Sequence, residues 1–130
     1  MVTNFEEYTT ELNEYERTKL LPIVASFFRI HIGRDNPIKN AEIREVLAEH
    51  GHEVSAITIR KIINVIRRNA IIPFLVSSSK GYYVAETVAQ ISGCIDSLQG
   101  REEAIRAVKE ALMNQREVMR EQMKKRQPDA

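Results

Sequence analysis

Residues 40–84 read NAEIREVLAEHGHEVSAITIRKIINVIRRNAIIPFLVSSSKGYYV, and the order of patterns in this stretch decides the fold. The stretch opens with a short helical pattern in which Asn40 is the candidate N-cap. Its apolar stripe consists of Ile43, Val46 and Leu47. Gly51 follows, and a glycine there allows the left-handed backbone of a sharp turn. The pattern predicts a helix that ends in a tight turn.

A second helix is predicted directly after that turn, from the N-cap candidate Ser55 to about Asn69. At 100° per residue, its four isoleucines cluster on one face as a core-facing stripe: Ile59, Ile62, Ile63 and Ile66. The opposite face is mostly polar and basic and comprises Ile57, Arg60, Lys61, Asn64 and Arg68. The unit is therefore helix, short turn, helix.

Two strands are predicted next, over residues 71–76 and 81–84, because both runs are rich in β-branched and aromatic residues. The polar segment Ser-Ser-Ser-Lys-Gly at 77–81 separates them as a turn, and Pro73 suggests that the first strand starts at an edge. A helix-turn-helix followed at once by a hairpin is the order of a winged helix-turn-helix. The predicted fold class is mainly α (α+β), with a two-stranded β-hairpin wing.

The rest of the chain is predicted to be helical, giving an N-terminal helical segment at 1–37, the winged core at 38–85 and a C-terminal extension at 86–127, all in one structural domain. Thr10 is the first N-cap candidate, and the acidic beginning of the chain, which includes Glu16, is interpreted as a solvated face. Pro22 either kinks one long helix or begins a second one.

Apolar residues recur every seventh position in the C-terminal extension: Ile91, Leu98, Ile105, Leu112 and Met119. This spacing predicts either a homodimer through a parallel or antiparallel coiled coil, or a helix that packs on its own domain. The companion positions are weaker, because Glu102, Lys109 and Arg116 interrupt their apolar character. Gly100 is expected to divide the run into two helices.

Charge is segregated along the chain although the net charge is only +1. The 18 carboxylates of the chain all lie outside residues 55–85, and that window carries only basic charges: Arg60, Lys61, Arg67, Arg68 and Lys80. A basic window of this kind favours a polyanionic partner, above all double-stranded DNA. The competing interpretation is that these side chains are only the solvated face of an amphipathic helix.

If the partner is DNA, the residue types predict different contacts for different positions of the second helix and the hairpin. Base reading is assigned to Ile57, Arg60, Lys61 and Asn64, since Arg and Lys can bond guanine, Asn can bond adenine and an aliphatic side chain can contact a thymine methyl. Arg67 and Arg68 are assigned to phosphates. The turn residues Ser78, Ser79 and Lys80 are assigned to phosphates as a wing tip.

Other classes of function find little support in the sequence. Three histidines and the single Cys94 make no zinc pattern, and no phosphate loop, nucleophile elbow or metalloprotease motif occurs. We therefore expect no enzymatic activity, no cofactor and no metal. No apolar run approaches the roughly 18 residues of a membrane span, and the acidic N-terminus does not resemble a signal peptide. The expected location is the cytoplasm, with no membrane contact.

Residues 56–69, followed by Ile72-Pro73 and Ser-Ser-Ser-Lys-Gly-Tyr-Tyr-Val at 77–84, resemble small winged helix-turn-helix proteins of bacteriophages and prophages. The run Ser-Leu-Gln-Gly-Arg-Glu-Glu-Ala-Ile-Arg-Ala-Val at 97–108 is similar to their trailing helix. The resemblance covers about residues 38–112 and implies a recognition helix at 56–69 with a wing near Lys80. This chain departs from that pattern in presenting Ile57 on the reading face. The carboxylate-free helix and hairpin lead to the hypothesis of a phage-type DNA-binding protein that acts in transcription control or in replication and recombination. The alternative is a protein–protein adaptor without direct DNA contact.

Overall fold

A computed structural model of the protein describes residues 11–126. The described chain is mainly helical and contains one two-stranded antiparallel sheet, which confirms the α+β class expected from the sequence. It divides into two compact units, the first ending at Cys94 and the second beginning at Ile95. The boundary falls within the last helix, nine residues beyond the 85/86 boundary drawn from the sequence, since Cys94 is still part of a buried cluster of the first unit.

The first helical segment begins at a capping box formed by Asn13 and Glu16. Asn13 Oδ1 accepts a hydrogen bond from the Glu16 backbone N–H at 2.8 Å, and Glu16 Oε1 accepts one from the Asn13 N–H at 2.9 Å. A π-helical turn at Glu16–Leu20 then leads into helix α1 at Leu21–Phe28, whose first turn holds Pro22. Thr10, the cap expected from the sequence, lies outside the described residues.

Helix α2 spans Asn40–Glu49, and its N-cap is Lys39 rather than the expected Asn40. The Lys39 N–H donates to Glu42 Oε1 at 3.1 Å, so the capping interaction is made by the carboxylate in the first turn. Asn40 is the first helical residue, and its side chain is directed elsewhere. Gly51 has a φ of +85°, as the sequence predicted for the turn that follows α2.

Helix α3 spans Ala56–Arg68 and buries the predicted isoleucine stripe. Ser55 is its N-cap, because the Ser55 Oγ accepts a hydrogen bond from the Thr58 N–H at 3.1 Å. The isoleucines pack with side chains of the first helical segment, α2 and the sheet into one main core. That core comprises Leu20, Val24, Ala25, Phe28, Ile38, Ile43, Leu47, Ile59, Ile62, Ile63, Ile66, Ile72 and Leu75.

Strands β1 at Leu75–Ser78 and β2 at Gly81–Val84 form the antiparallel hairpin. β1 begins later than the expected residue 71, because residues 69–74 first reverse the chain at the end of α3. The Ile71 N–H still donates to the Ile66 carbonyl at 3.0 Å, and Phe74 has a positive φ of 67°. Ile38 forms an isolated antiparallel bridge to Tyr82.

Helix α4 spans Val88–Arg126 without interruption, so the expected division at Gly100 is wrong. Thr87 caps it, since the Gln90 N–H donates to Thr87 Oγ1 at 3.2 Å. A single glycine costs a helix only about 1 kcal/mol relative to alanine, too little to end one of this length. The start of α4 closes a second buried cluster of the first unit: Val76, Tyr83, Ala85 and Cys94.

Candidate nucleic-acid interface

The solvent-facing side of α3 carries a continuous exposed stripe, which we call the α3 stripe: Ile57, Arg60, Asn64 and Arg68. The members follow one another at spacings of three and four residues, so they share one helical face over about 16 Å. Ile57 is 61% exposed although it is the only apolar member. The stripe contains hydrogen-bond donors, an amide and an aliphatic group along one ridge.

The beginning of α3 is fixed to α2 by side chain to backbone hydrogen bonds. Asn40 Nδ2 donates to the Ala56 carbonyl at 3.1 Å, and Arg44 Nε donates to the Val54 carbonyl at 3.2 Å. With the Ser55 cap, these bonds satisfy backbone groups on either side of the first residue of α3. The α3 stripe is therefore carried by a helix whose start is held in place, which is the condition for a ridge that docks as a rigid element.

The side chain of Lys61 does not lie on the α3 stripe, contrary to the orientation inferred from the sequence. Its Nζ lies 2.9 Å from Glu16 Oε1, and the two side chains are only 9% and 10% exposed. Glu16 is itself buried, so the interpretation of this residue as part of a solvated acidic face is wrong. The pair connects the π-helical turn to α3, and the cation of Lys61 is used inside the fold.

Arg67 is half-buried, and its guanidinium is directed at the start of α4. Its Nη2 donates to Cys94 Sγ at 3.4 Å, and Ser77 Oγ lies 3.9 Å from the same sulfur. These contacts connect the end of α3, the hairpin and the start of α4 within the first unit. Arg67 thus has a place in the packing. Arg68 is an exposed member of the α3 stripe.

The tip of the hairpin is the two-residue turn Ser79-Lys80. The Ser78 hydroxyl closes this turn, since it donates to the Gly81 carbonyl and accepts from the Lys80 N–H, both at 3.2 Å. Ser79 and Lys80 are exposed at the tip. Of the three expected tip residues, Ser78 serves the turn itself, while Ser79 and Lys80 present their side chains to solvent.

Two carboxylates lie beside the start of α3. Glu45 and Glu53 line a shallow depression of about 300 Å³ together with Arg44 and Val54, just before the start of α3. The helix dipole favours anions at this end, whereas the two carboxylates disfavour them. The exposed basic residues Arg60 and Arg68 lie farther along α3, and Lys80 lies at the hairpin tip.

Sequence reasoning missed both contacts that remove basic side chains from the surface. The run Asn13-Glu14-Tyr15-Glu16 carries the signal of a capping box, which places Glu16 in the first turn of a helix. That signal does not indicate which cation pairs with Glu16. The contact between Arg67 and Cys94 has no comparable signal, since it depends on how α4 packs.

The histidines occupy three separate local settings. His50 Nδ1 lies 2.9 Å from the Val46 carbonyl, and His31 Nδ1 lies 3.0 Å from the Asn36 carbonyl. His52 hydrogen-bonds to the Tyr15 hydroxyl and is half-buried, whereas His50 is exposed. Across residues 11–126 no group of three or more His, Cys, Asp or Glu side chains is arranged to hold a metal ion.

The same described residues contain no helix that is both long and apolar enough to cross a membrane. Comparison of the chain with protein-family models, with curated proteins and with solved structures found no match.

Proposed function

We propose that this chain is a double-stranded DNA-binding protein of the winged helix-turn-helix type, in which α3 enters the major groove and the hairpin tip contacts a phosphate backbone. The observation that carries the proposal is the α3 stripe: an exposed ridge of Arg, Asn and Ile on a helix fixed at its start, within a window that has no carboxylate. An α-helix of about 10–12 Å diameter fits the major groove.

Each exposed side chain then has a task that its chemistry suits. Arg60 can donate two hydrogen bonds to guanine, Asn64 can exchange two with adenine, and Ile57 can cover a thymine methyl. Arg68, Ser79 and Lys80 can bind phosphates without reading sequence. Lys61 and Arg67 leave the set of contact residues and act as structural supports of α3, because their side chains are engaged with Glu16 and Cys94.

The test is duplex affinity of the double variant Arg60→Ala/Asn64→Ala, measured by fluorescence anisotropy on sequences first selected from a random duplex library. Two base contacts at roughly 1–3 kcal/mol each predict a loss of about 30-fold or more. Arg34→Ala is the matched control, since Arg34 is exposed in the turn that precedes Ile38 and is not part of the stripe. Unchanged affinity in a folded double variant would overturn the assignment.

A protein–protein adaptor is the second candidate, and the exposed Ile57 is the observation that favours it. A solvent-facing isoleucine between polar neighbours also suits an apolar pocket on a partner protein. This candidate predicts no measurable affinity for any duplex at low salt. The resemblance to phage and prophage proteins extends the first proposal to a bacterial or phage cytoplasm and to transcription control, replication or recombination of such an element.

A further inference from the structure

The second unit consists of the part of α4 from residue 95 onward, and every residue described in it is exposed. Its exposed large apolar side chains are Ile95, Leu98, Ile105, Val108, Leu112, Met113, Val118, Met119 and Met123. Most of a helix's stability in proteins comes from packing of an apolar face. Among the described residues this apolar face is solvent-exposed along its whole length, so it requires cover.

The apolar face of this segment has a regular sequence pattern. Leu98, Ile105, Leu112 and Met119 recur at seven-residue spacing, and four residues after the first three stand Glu102, Lys109 and Arg116. In heptad terms the first series occupies one core position, and the second occupies the other, where Ile95 and Met123 provide apolar ends. Apolar and charged side chains thus alternate along one seam.

A parallel, in-register pair of such helices would place each charged core residue opposite its own copy in the other helix. Glu102 would face Glu102, Lys109 would face Lys109, and Arg116 would face Arg116, giving three like-charged layers in the middle of the seam. At the flanks, Arg101 of each helix would lie beside Arg106 of the other, since these positions are neighbours in a parallel coiled coil. The charge pattern opposes this orientation.

An antiparallel pair avoids these like-charged layers, because each core layer then combines a residue of the first series with one of the second. We propose that the α4 segment 95–126 is covered by the same segment of a second copy of this chain, running antiparallel, with the two-fold axis between Glu110 and Ala111. The five distinct layers are Ile95 with Arg126, Leu98 with Met123, Glu102 with Met119, Ile105 with Arg116, and Lys109 with Leu112.

The charge pattern favours this arrangement over the parallel one. Glu102 of each helix lies one layer from Arg116 of the other, which gives two opposite pairs. Lys109 of each helix lies one layer from Lys109 and Arg116 of the other, so these like charges are separated by a layer and no longer share one. Arg106 flanks Met113, and Arg101 flanks Gln122, so like charges do not meet at those positions. Within one helix Glu102 lies 3.6 Å from Arg106, and Arg116 lies 3.7 Å from Glu117, both as pairs more than half exposed. Such exposed pairs stabilise little and do not compete with a covered one.

The burial of α4 side chains in the first unit also determines over which residues the two helices can pair. Ile91 and Cys94 belong to or pack against the buried cluster of the first unit, so the seam is available only from Ile95 onward. Pairing residue 95 with residue 126 uses the available length completely. The glycine at 100 then lies on the outer side of the pair, where nothing approaches it within 4 Å in the single chain. This inference is independent of DNA binding.

The test is a charge swap followed by sedimentation equilibrium of the full chain without DNA. Glu102→Arg should weaken self-association by about tenfold or more, because it replaces two opposite-charge pairs with repulsive ones. Arg116→Glu added to this variant restores both pairs, and the double variant Glu102→Arg/Arg116→Glu should regain at least the affinity of the unmodified chain. Glu110→Arg, on the outer side of the seam, is the matched control and should leave the affinity within about twofold.

A distance measurement fixes the orientation. With Cys94 replaced by serine and Glu121→Cys carrying a nitroxide label, an antiparallel pair separates the two labels by 21 residues along the helix axis, or about 30 Å. A parallel pair places them side by side at clearly shorter distance. A monomeric mass at all concentrations, a short label distance, or a Glu102→Arg variant that Arg116→Glu does not rescue would each overturn the proposal.

Discussion

Lys61 Nζ and Glu16 Oε1 lie 2.9 Å apart with both side chains at least nine-tenths buried. This pair removes Lys61 from the side chains of α3 that can contact a partner. The same carboxylate oxygen accepts the Asn13 N–H of the capping box. One glutamate therefore both starts the first helical segment and holds a cation of α3.

Breaking that pair from one side should destabilise the fold strongly. Lys61→Met leaves the carboxylate of Glu16 buried without its cation, which costs about 3–5 kcal/mol in comparable pairs. Glu16→Gln added to Lys61→Met should recover most of the loss, because glutamine is neutral and can keep the capping box. Urea unfolding followed by circular dichroism measures both variants.

The control for this pair is Glu14→Gln, since Glu14 is exposed two residues before Glu16. Its effect on the free energy of unfolding should stay within about 0.5 kcal/mol. A Lys61→Met variant as stable as this control would show that the pair contributes nothing. The rescued double variant should also keep its duplex affinity, which separates a structural Lys61 from one that reads bases.

The turn after α2, the cap of α3 and the core stripe of α3 were predictable because each is encoded within a few residues. Ser55 caps α3, Gly51 takes a positive φ and the isoleucines of α3 are buried, as periodicity and local hydrogen bonding require. The orientation of Lys61 was not predictable from α3 alone. A helical wheel gives the direction of a side chain, but only the packing of another element determines whether that direction is solvent.

Element boundaries failed where local signals conflicted with longer-range ones. The apolar run from Ile71 reads as strand, yet the hydrogen bond from Ile71 back to Ile66 keeps it in the turn that ends α3. Gly100 reads as an interruption, yet α4 continues through it because the residues on both sides favour helix. The candidate DNA surface was predicted in part: its stripe is exposed, and two of its expected cations are engaged within the fold.

Two glycines should respond to alanine in opposite directions. Gly81→Ala should destabilise the hairpin by about 2 kcal/mol or more, because Gly81 has a φ of +131° and an added Cβ would lie 2.5 Å from the Ile38 carbonyl oxygen. Gly100→Ala should instead stabilise α4 by about 0.5–1 kcal/mol, since nothing lies within 4 Å and alanine favours helix. Thermal unfolding monitored at 222 nm compares the two. Equal effects of the same sign would contradict the backbone geometry at Gly81.

Lys80 should contribute to DNA affinity without contributing to sequence choice. Lys80→Ala removes one exposed cation at the hairpin tip and should weaken all duplexes alike. The slope of log K against log salt should become shallower by about 1. Lys80→Arg keeps the charge and is the control with an unchanged slope. A selective loss on one sequence would instead assign Lys80 to base reading.

Ile57 distinguishes the two candidate functions, because charge at this position has opposite consequences for them. On a DNA surface, Ile57→Lys adds a cation to the α3 stripe and should preserve or raise affinity for random-sequence duplex at low salt, with a salt slope steeper by about 1. Ile57→Glu should abolish that affinity through repulsion of phosphates. On an apolar docking surface both charges must be desolvated, so both variants should weaken binding of the partner. Ile57 is 61% exposed, so neither substitution disturbs the core, and circular dichroism can verify that both variants remain folded. Anisotropy titrations of the two variants, side by side with the unmodified chain, therefore decide between DNA and protein as the ligand of α3: opposite effects support DNA, and equal losses refute it.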